Sequence, residues 1–133
     1  MKLSTKSEYS LLALIYIARH QKKGLTKIED ICEKYNISKK YLENLMTILK
    51  QNRFINTKRG AQGGYQLAIS ANKISVAEII RIMDGALAPT LAVSKYFYSQ
   101  THIEKEKKLL GVFKEIRDYI AHKLEKLKIS DLI

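Results

Sequence analysis

Cysteine occurs once in these 133 residues, at Cys32, proline once, at Pro89, and tryptophan not at all. A single thiol rules out an intramolecular disulfide framework and a cysteine-rich metal site. Long apolar runs are missing too: the longest, Leu11 to Ala18, has eight residues, against the roughly 18 or more of a membrane span. The opening MKLSTKSEYS has no signal-peptide apolar region, so a soluble cytoplasmic protein with no membrane partner is expected. No Ser/His/Asp set, paired carboxylates or metal-ligand spacing is present, and G-x-x-x-x-G-K-[ST] is absent. The expectation is therefore no enzyme, no catalytic residue and no metal. At this length one domain, or one small domain with an appendage, is expected.

Acid is the scarcer charge, 13 Asp+Glu against 24 Lys+Arg, for a net charge of +11. Residues 1–70 hold 13 Lys+Arg against 5 Asp+Glu, and residues 71–133 hold 11 against 8. The surplus therefore lies mainly on the first half, which favours a nucleic-acid partner over a generally basic surface.

The stretch Ile37 to Leu67 lies in that half. Leu42, Leu45, Met46 and Leu49 recur at i, i+3, i+4 and i+7, one stripe of a helix that must face a core. Lys40, Glu43, Asn44, Thr47 and Gln51 fall on the other side, where polar groups can meet base edges in a major groove. Ser38 is a suitable N-cap, so the reading helix spans 38–52. Residues 54–69 then alternate as two half-exposed strands around Arg59-Gly60-Ala61-Gln62-Gly63-Gly64, with Lys58 and Arg59 at the tip. Such a tip suits a phosphate backbone or minor groove, and is equally compatible with a plain hairpin turn bearing two solvated cations.

The rest of the chain is helical in pattern. The first helix covers 5–22 with Tyr9, Leu12, Ala13, Tyr16 and Ile17 inward, and Gly24 stops it. A second runs from Thr26 through Tyr35 with Ile28, Ile31 and Cys32 inward, Cys32 reading as a small buried apolar residue. Asn36-Ile37 is the tight turn that completes a helix-turn-helix. Four S/T-x-x-E capping boxes are expected, at Thr5–Glu8, Thr26–Glu29, Ser75–Glu78 and Thr101–Glu104. The Ser75 helix ends at Asp84-Gly85, closing a domain of residues 1–85. Residues 86–100 form a connecting loop whose Tyr96, Phe97 and Tyr98 suit an effector or partner surface, or packing on the last helix. That helix and its tail occupy 101–133, with a seam of Leu109, Phe113, Ile116, Ile120, Leu124 and Leu127. A second copy of the chain would cover such a seam. The fold class is mainly α with one small β-hairpin: a winged helix-turn-helix plus a long C-terminal dimerisation helix.

These residues carry a resemblance over nearly the whole chain. The opening Met1-Lys2-Leu3-Ser4-Thr5-Lys6, Ile37-Ser38-x-x-Tyr41-Leu42-Glu43 and Arg59-Gly60-x-x-Gly63-Gly64-Tyr65 are similar to the Rrf-two family of bacterial winged-helix transcription regulators. Ser75-Val76-x-Glu78-Ile79-Ile80 and the terminal Ser130-Asp131-Leu132-Ile133 look like the family as well. The resemblance implies a sequence-specific regulator, a homodimeric repressor on a partly palindromic stretch of double-stranded DNA. By position it implies helix contacts from Ser38, Lys39, Lys40, Tyr41, Glu43 and Asn44 and wing contacts from Lys58, Arg59 and Gly60. Chemistry sorts these: Glu43 suits cytosine N4, Asn44 adenine and Lys40 guanine, while Ser38 and Tyr41 suit phosphate. A surface glutamate paired to Lys39 or Lys40, and a Tyr41 packed under the helix, are the plainer alternatives.

Cluster-binding members of that family carry three cysteines before the last helix, whereas Ala86 to His102 has none. No cofactor is expected: a thiolate-held iron–sulfur cluster is not expected without those cysteines, and Glu8 and His102 are weak candidates for other ligands. The chain looks more like the cysteine-metabolism repressor than the iron–sulfur regulator, so the expected signal is a small molecule or an effector protein. An interaction module that binds an acidic protein or RNA through its basic face is the competing class.

Overall fold

The stripe from Leu42 to Leu49 is inside the protein: Leu42, Leu45, Met46 and Leu49 are each no more than 1% exposed. In the computed structural model, which describes residues 1–133, they sit on α3 (Lys39–Gln51), third of five α-helices. Before it come α1 (Thr5–His20) and α2 (Ile28–Tyr35). After it come β1 (Ile55–Lys58) and β2 (Gly64–Leu67), then α4 (Val76–Asp84) and α5 (Lys107–Lys126). The strands pair antiparallel in a two-stranded sheet, Ile55 opposite Leu67 and Lys58 opposite Gly64. The α2–α3 turn is tight because Asn36 adopts φ +54°, a left-handed conformation that asparagine tolerates, and Ile37 N–H then donates to the Cys32 carbonyl.

One core of 18 buried residues joins Ala13, Leu14, Ile17 and Ala18 of α1 to Ile28 and Ile31 of α2, the α3 stripe, Phe54, Ile55 and Ile79. Burial of each large side chain contributes roughly 1.5–3 kcal/mol. Ile129 joins the same core, because the C-terminal segment returns beside Ile74 and Val76: Val76 N–H donates to the Leu127 carbonyl and Ile129 N–H to the Ile74 carbonyl, both at 2.9 Å. The tail read as part of a separate 101–133 unit is thus packed into the 1–85 core. No helix is long and apolar enough to cross a membrane.

Of the four expected capping boxes only Ser75–Glu78 forms, with Glu78 N–H on Ser75 Oγ at 3.1 Å and Ser75 N–H on Glu78 Oε2 at 3.0 Å. At the starts of α1 and α2 tertiary partners win. The Ser4 N–H (2.9 Å), the Ser4 hydroxyl and the Ser7 hydroxyl (2.7 Å) all donate to the Asp84 carboxylate, so Ser4, not Thr5, precedes α1. Thr26 is drawn into a β-bridge with Tyr65, leaving Lys27 at the start of α2. Thr101 opens only a 3-10 turn, His102–Lys105, and α5 begins at Lys107 rather than 101. A cap is worth about 1 kcal/mol, whereas hydrogen bonds to a charged group contribute roughly 1.5–3 kcal/mol each, which explains the preference for Asp84.

That carboxylate is a measurable element of stability. Burial pushes the Asp84 carboxyl up, but the hydrogen bonds from Ser4 and Ser7 outweigh it and hold it below its ordinary value. A depressed carboxylate contributes stability above the unfolded-state value of about 3.9, and loses it as pH falls through the lower native value. Asp84→Asn is expected to cost about 1–3 kcal/mol near neutral pH. Urea melts between pH 7 and pH 2 should show the difference from the native protein shrinking on the acid side.

The seam of α5 is divided. Ile120, Leu124 and Leu127 pack on the chain's own Val76, Ala77, Ile80 and Leu87, so a second copy is not what covers that side of them. Phe113 is half-buried, while Leu109, Val112, Ile116 and Tyr119 stand 46%, 50%, 40% and 70% exposed on one stripe. Residues 86–100 are not a solvated loop throughout: Leu87, Ala88, Ala92, Val93 and Ser94 are buried, and Arg117 Nη1 donates to the Val93 carbonyl at 2.8 Å. Leu91 and the later part, with Tyr96, Phe97 and Tyr98, are exposed.

Candidate nucleic-acid interface

With its apolar stripe buried, α3 leaves Lys39, Lys40, Glu43, Asn44, Thr47 and Gln51 exposed on one side, and Ser38 exposed just before it. Lys58, Arg59 and Gly60 are exposed at the wing. Ser38 stands at the N-cap of α3, but its hydroxyl makes no cap bond. Helix and hairpin are held in one frame. Thr26 N–H donates to the Tyr65 carbonyl at 2.8 Å and Tyr65 N–H to the Thr26 carbonyl at 2.7 Å, so the segment before α2 adds a bridge to β2. Lys27 Nζ donates to the Ala61 carbonyl at 2.9 Å, fastening the tip.

The glycines of the tip have separate reasons. Gly60 adopts φ +106° in open space, a backbone state that disfavours a side chain. A Cβ on Gly63 would lie 2.2 Å from the Lys58 carbonyl oxygen, and one on Gly64 2.6 Å from that of Thr26. Backbone cannot yield there, which makes Gly63-Gly64 a packing requirement of the wing.

Two predicted contact residues have partners of their own. Tyr41 is half-buried against α1: its ring meets Tyr9 edge-on with centroids 5.8 Å apart, and its hydroxyl lies 3.1 Å from Thr5 Oγ1. The plainer packing alternative therefore describes Tyr41 in this structure. Lys39 Nζ is 2.9 Å from Glu29 Oε1 on α2, which leaves Glu43 without a paired lysine. The hydrogen bond from Lys39 lowers the Glu29 carboxyl, and the same bond raises the Lys39 ammonium. Periodicity carried no sign of Lys27 and Glu29 as parts of this surface, because each meets its partner on another element.

The family resemblance raises iron, and the residues present do not fit it. Cys32, the single thiol, is half-buried against the core on α2; burial first, then Glu29, pushes its pKa up, the opposite of a poised thiolate ligand. Glu8 and His102 are exposed on separate elements, and no group of three His, Cys, Asp or Glu side chains is placed to hold a metal ion.

A reading helix with a free polar face, a wing anchored beside it and a basic surplus on the same half define a winged helix-turn-helix DNA-binding transcriptional regulator. The Rrf2 family model, described as an iron-dependent transcriptional regulator, matches residues 3–133, and the chain belongs to that family. It is 31% identical over 132 residues to the HTH-type transcriptional regulator CymR of Bacillus subtilis, covering 99% of this chain and 89% of that one. The IscR regulator of Xenorhabdus nematophila is 36% identical over 95 residues, 71% of this chain and 58% of its own. The solved structure of CymR, the global cysteine regulator of B. subtilis, superposes with a TM-score of 0.86 at 29% identity, covering 99% and 95% of the two chains. The oxidized form of Staphylococcus aureus CymR superposes at 0.81 with 30% identity.

Proposed function

We propose that this regulator is a homodimeric repressor that reads a partly palindromic operator and answers to a small-molecule or protein effector rather than to a cysteine-held cluster. The observation that carries the reading is the free polar face of α3 set beside an anchored, positively charged wing. Glu43 and Asn44 present the groups that discriminate bases, Lys40, Lys58 and Arg59 present unpaired cations to phosphate or groove edges, and Tyr41 positions the first turn of α3 against α1. Two copies joined through the exposed stripe of α5 would carry two such faces to successive major grooves. The exposed Tyr96–Tyr98 segment, next to α5, is the surface we assign to the effector or partner.

The test is duplex binding with DNA from the protein's own promoter region against random duplex of equal length. Promoter DNA is expected to bind tighter, with log affinity falling linearly with log salt; equal affinities would instead favour an interaction module. Arg59→Ala should cost about 1–3 kcal/mol of promoter affinity without a change in thermal stability. Unchanged affinity would remove the wing tip from the contact surface.

A further inference from the structure

Three ion pairs exist in the molecule: Lys39–Glu29, Arg81–Glu125 and Arg117–Asp118. The last two lie on α4 and α5; only the first lies on the face assigned to DNA. On that face Lys27, Lys40, Lys58 and Arg59 have no carboxylate partner, whereas Lys39, the first residue of the reading helix, is joined to the first turn of α2. The fold does not depend on this bond, since both side chains are more than half exposed, 55% and 61%. Nor does Lys39 gain from its place, because a cation at a helix N-terminus faces the positive end of the dipole.

We propose that Glu29 is a specificity-determining residue that withholds Lys39 from sequence-independent phosphate binding. This rests on the reading of α3 and the wing as the DNA-contacting face. Non-specific affinity comes from cations that neutralise phosphates and release counterions. A lysine already held by Glu29 must exchange one anion for another, and the exchange leaves a bare carboxylate facing the polyanion. Base-edge contacts from Glu43 and Asn44 do not pass through this pair. Glu29 therefore weakens binding to arbitrary sequence more than binding to the operator, and widens the ratio between them.

Glu29→Gln, Lys39→Gln and the double variant, each in the full chain, test this by anisotropy on promoter-derived and random duplexes over a salt series. For Glu29→Gln the random duplex should bind about two- to fivefold tighter per protomer in contact, with a salt slope steeper by about 0.9. Promoter affinity should rise less, so that the specificity ratio falls. Lys39→Gln alone leaves Glu29 as a bare carboxylate facing the phosphates and should weaken random-duplex binding, whereas the double variant, neutral at both positions like the native pair, should return to the native value. An unchanged random-duplex slope, an equal gain on both duplexes, or a gain that persists without Lys39 would each overturn the proposal. Native protein that binds both duplexes equally overturns the DNA reading itself, a result visible before any variant is compared.

Discussion

Replacing Ile116 by aspartate is expected to convert the protein into a folded monomer that binds promoter DNA on the order of 10²–10⁴-fold more weakly than the native protein, the loss that follows when two linked contacts become one. Ile116 is exposed on α5 in line with Leu109, Val112 and Tyr119, so the charge does not enter the protomer's own core and the chain should still unfold cooperatively, at a midpoint lowered only by the loss of subunit association. In the proposed dimer the same position is covered, and an unpaired carboxylate in an apolar contact is strongly disfavoured. Sedimentation reads the mass and anisotropy the affinity. A dimer that survives both Ile116→Asp and Val112→Asp would place the interface elsewhere. Ile120 is unsuitable for this test: it packs on Val76 and Ile80, and a charge there would unfold the α4–α5 contact before it reported on assembly.

Leu45→Ala should lower unfolding free energy by about 2–5 kcal/mol, the range for deleting a large side chain from a packed core. Leu45 is 1% exposed at the middle of α3, in the same core as Leu14 and Ile17 of α1. Its neighbours Glu43 and Asn44 point to solvent, so the cavity lies directly beneath the reading face. Urea denaturation measures the loss, and Leu45→Met, which nearly conserves volume, should cost less than about 1.5 kcal/mol. A promoter affinity that falls in Leu45→Ala while the protein remains folded would show that the core also sets the pitch of the helix against the groove. An Ala variant as stable as the native protein would contradict the burial of this stripe.

The two variants differ because the apolar residues of α3 and α5 meet different fates, although their periodicities look alike. The α3 stripe was legible because every residue on it is satisfied by one core, and a 3.6-residue period reports that directly. The α5 seam was legible as apolar but not as divided, since the half from Ile120 onward is claimed by α4 and the half around Ile116 is left free. Spacing along one helix carries no record of which neighbour reaches it.

The capping boxes show the same limit. All four have the right residues, yet only Ser75–Glu78 forms. Ser4 and Ser7 turn to Asp84, some eighty positions away, and Thr26 turns to Tyr65.

By itself the sequence determined the helix-turn-helix, the glycine-rich hairpin, the uneven positive charge and the lack of thiolates for a cluster. These follow from local rules: apolar period, turn geometry, net charge and ligand chemistry. The tertiary structure alone decided that Asp84 binds the start of α1, that the C-terminal segment closes the core, that Tyr41 leans on Tyr9, and that Glu29 holds Lys39 at the head of the reading helix. Each is a contact between elements distant in the chain or on different helices, where the geometry of packing, and not the pattern of residues, chooses the partner.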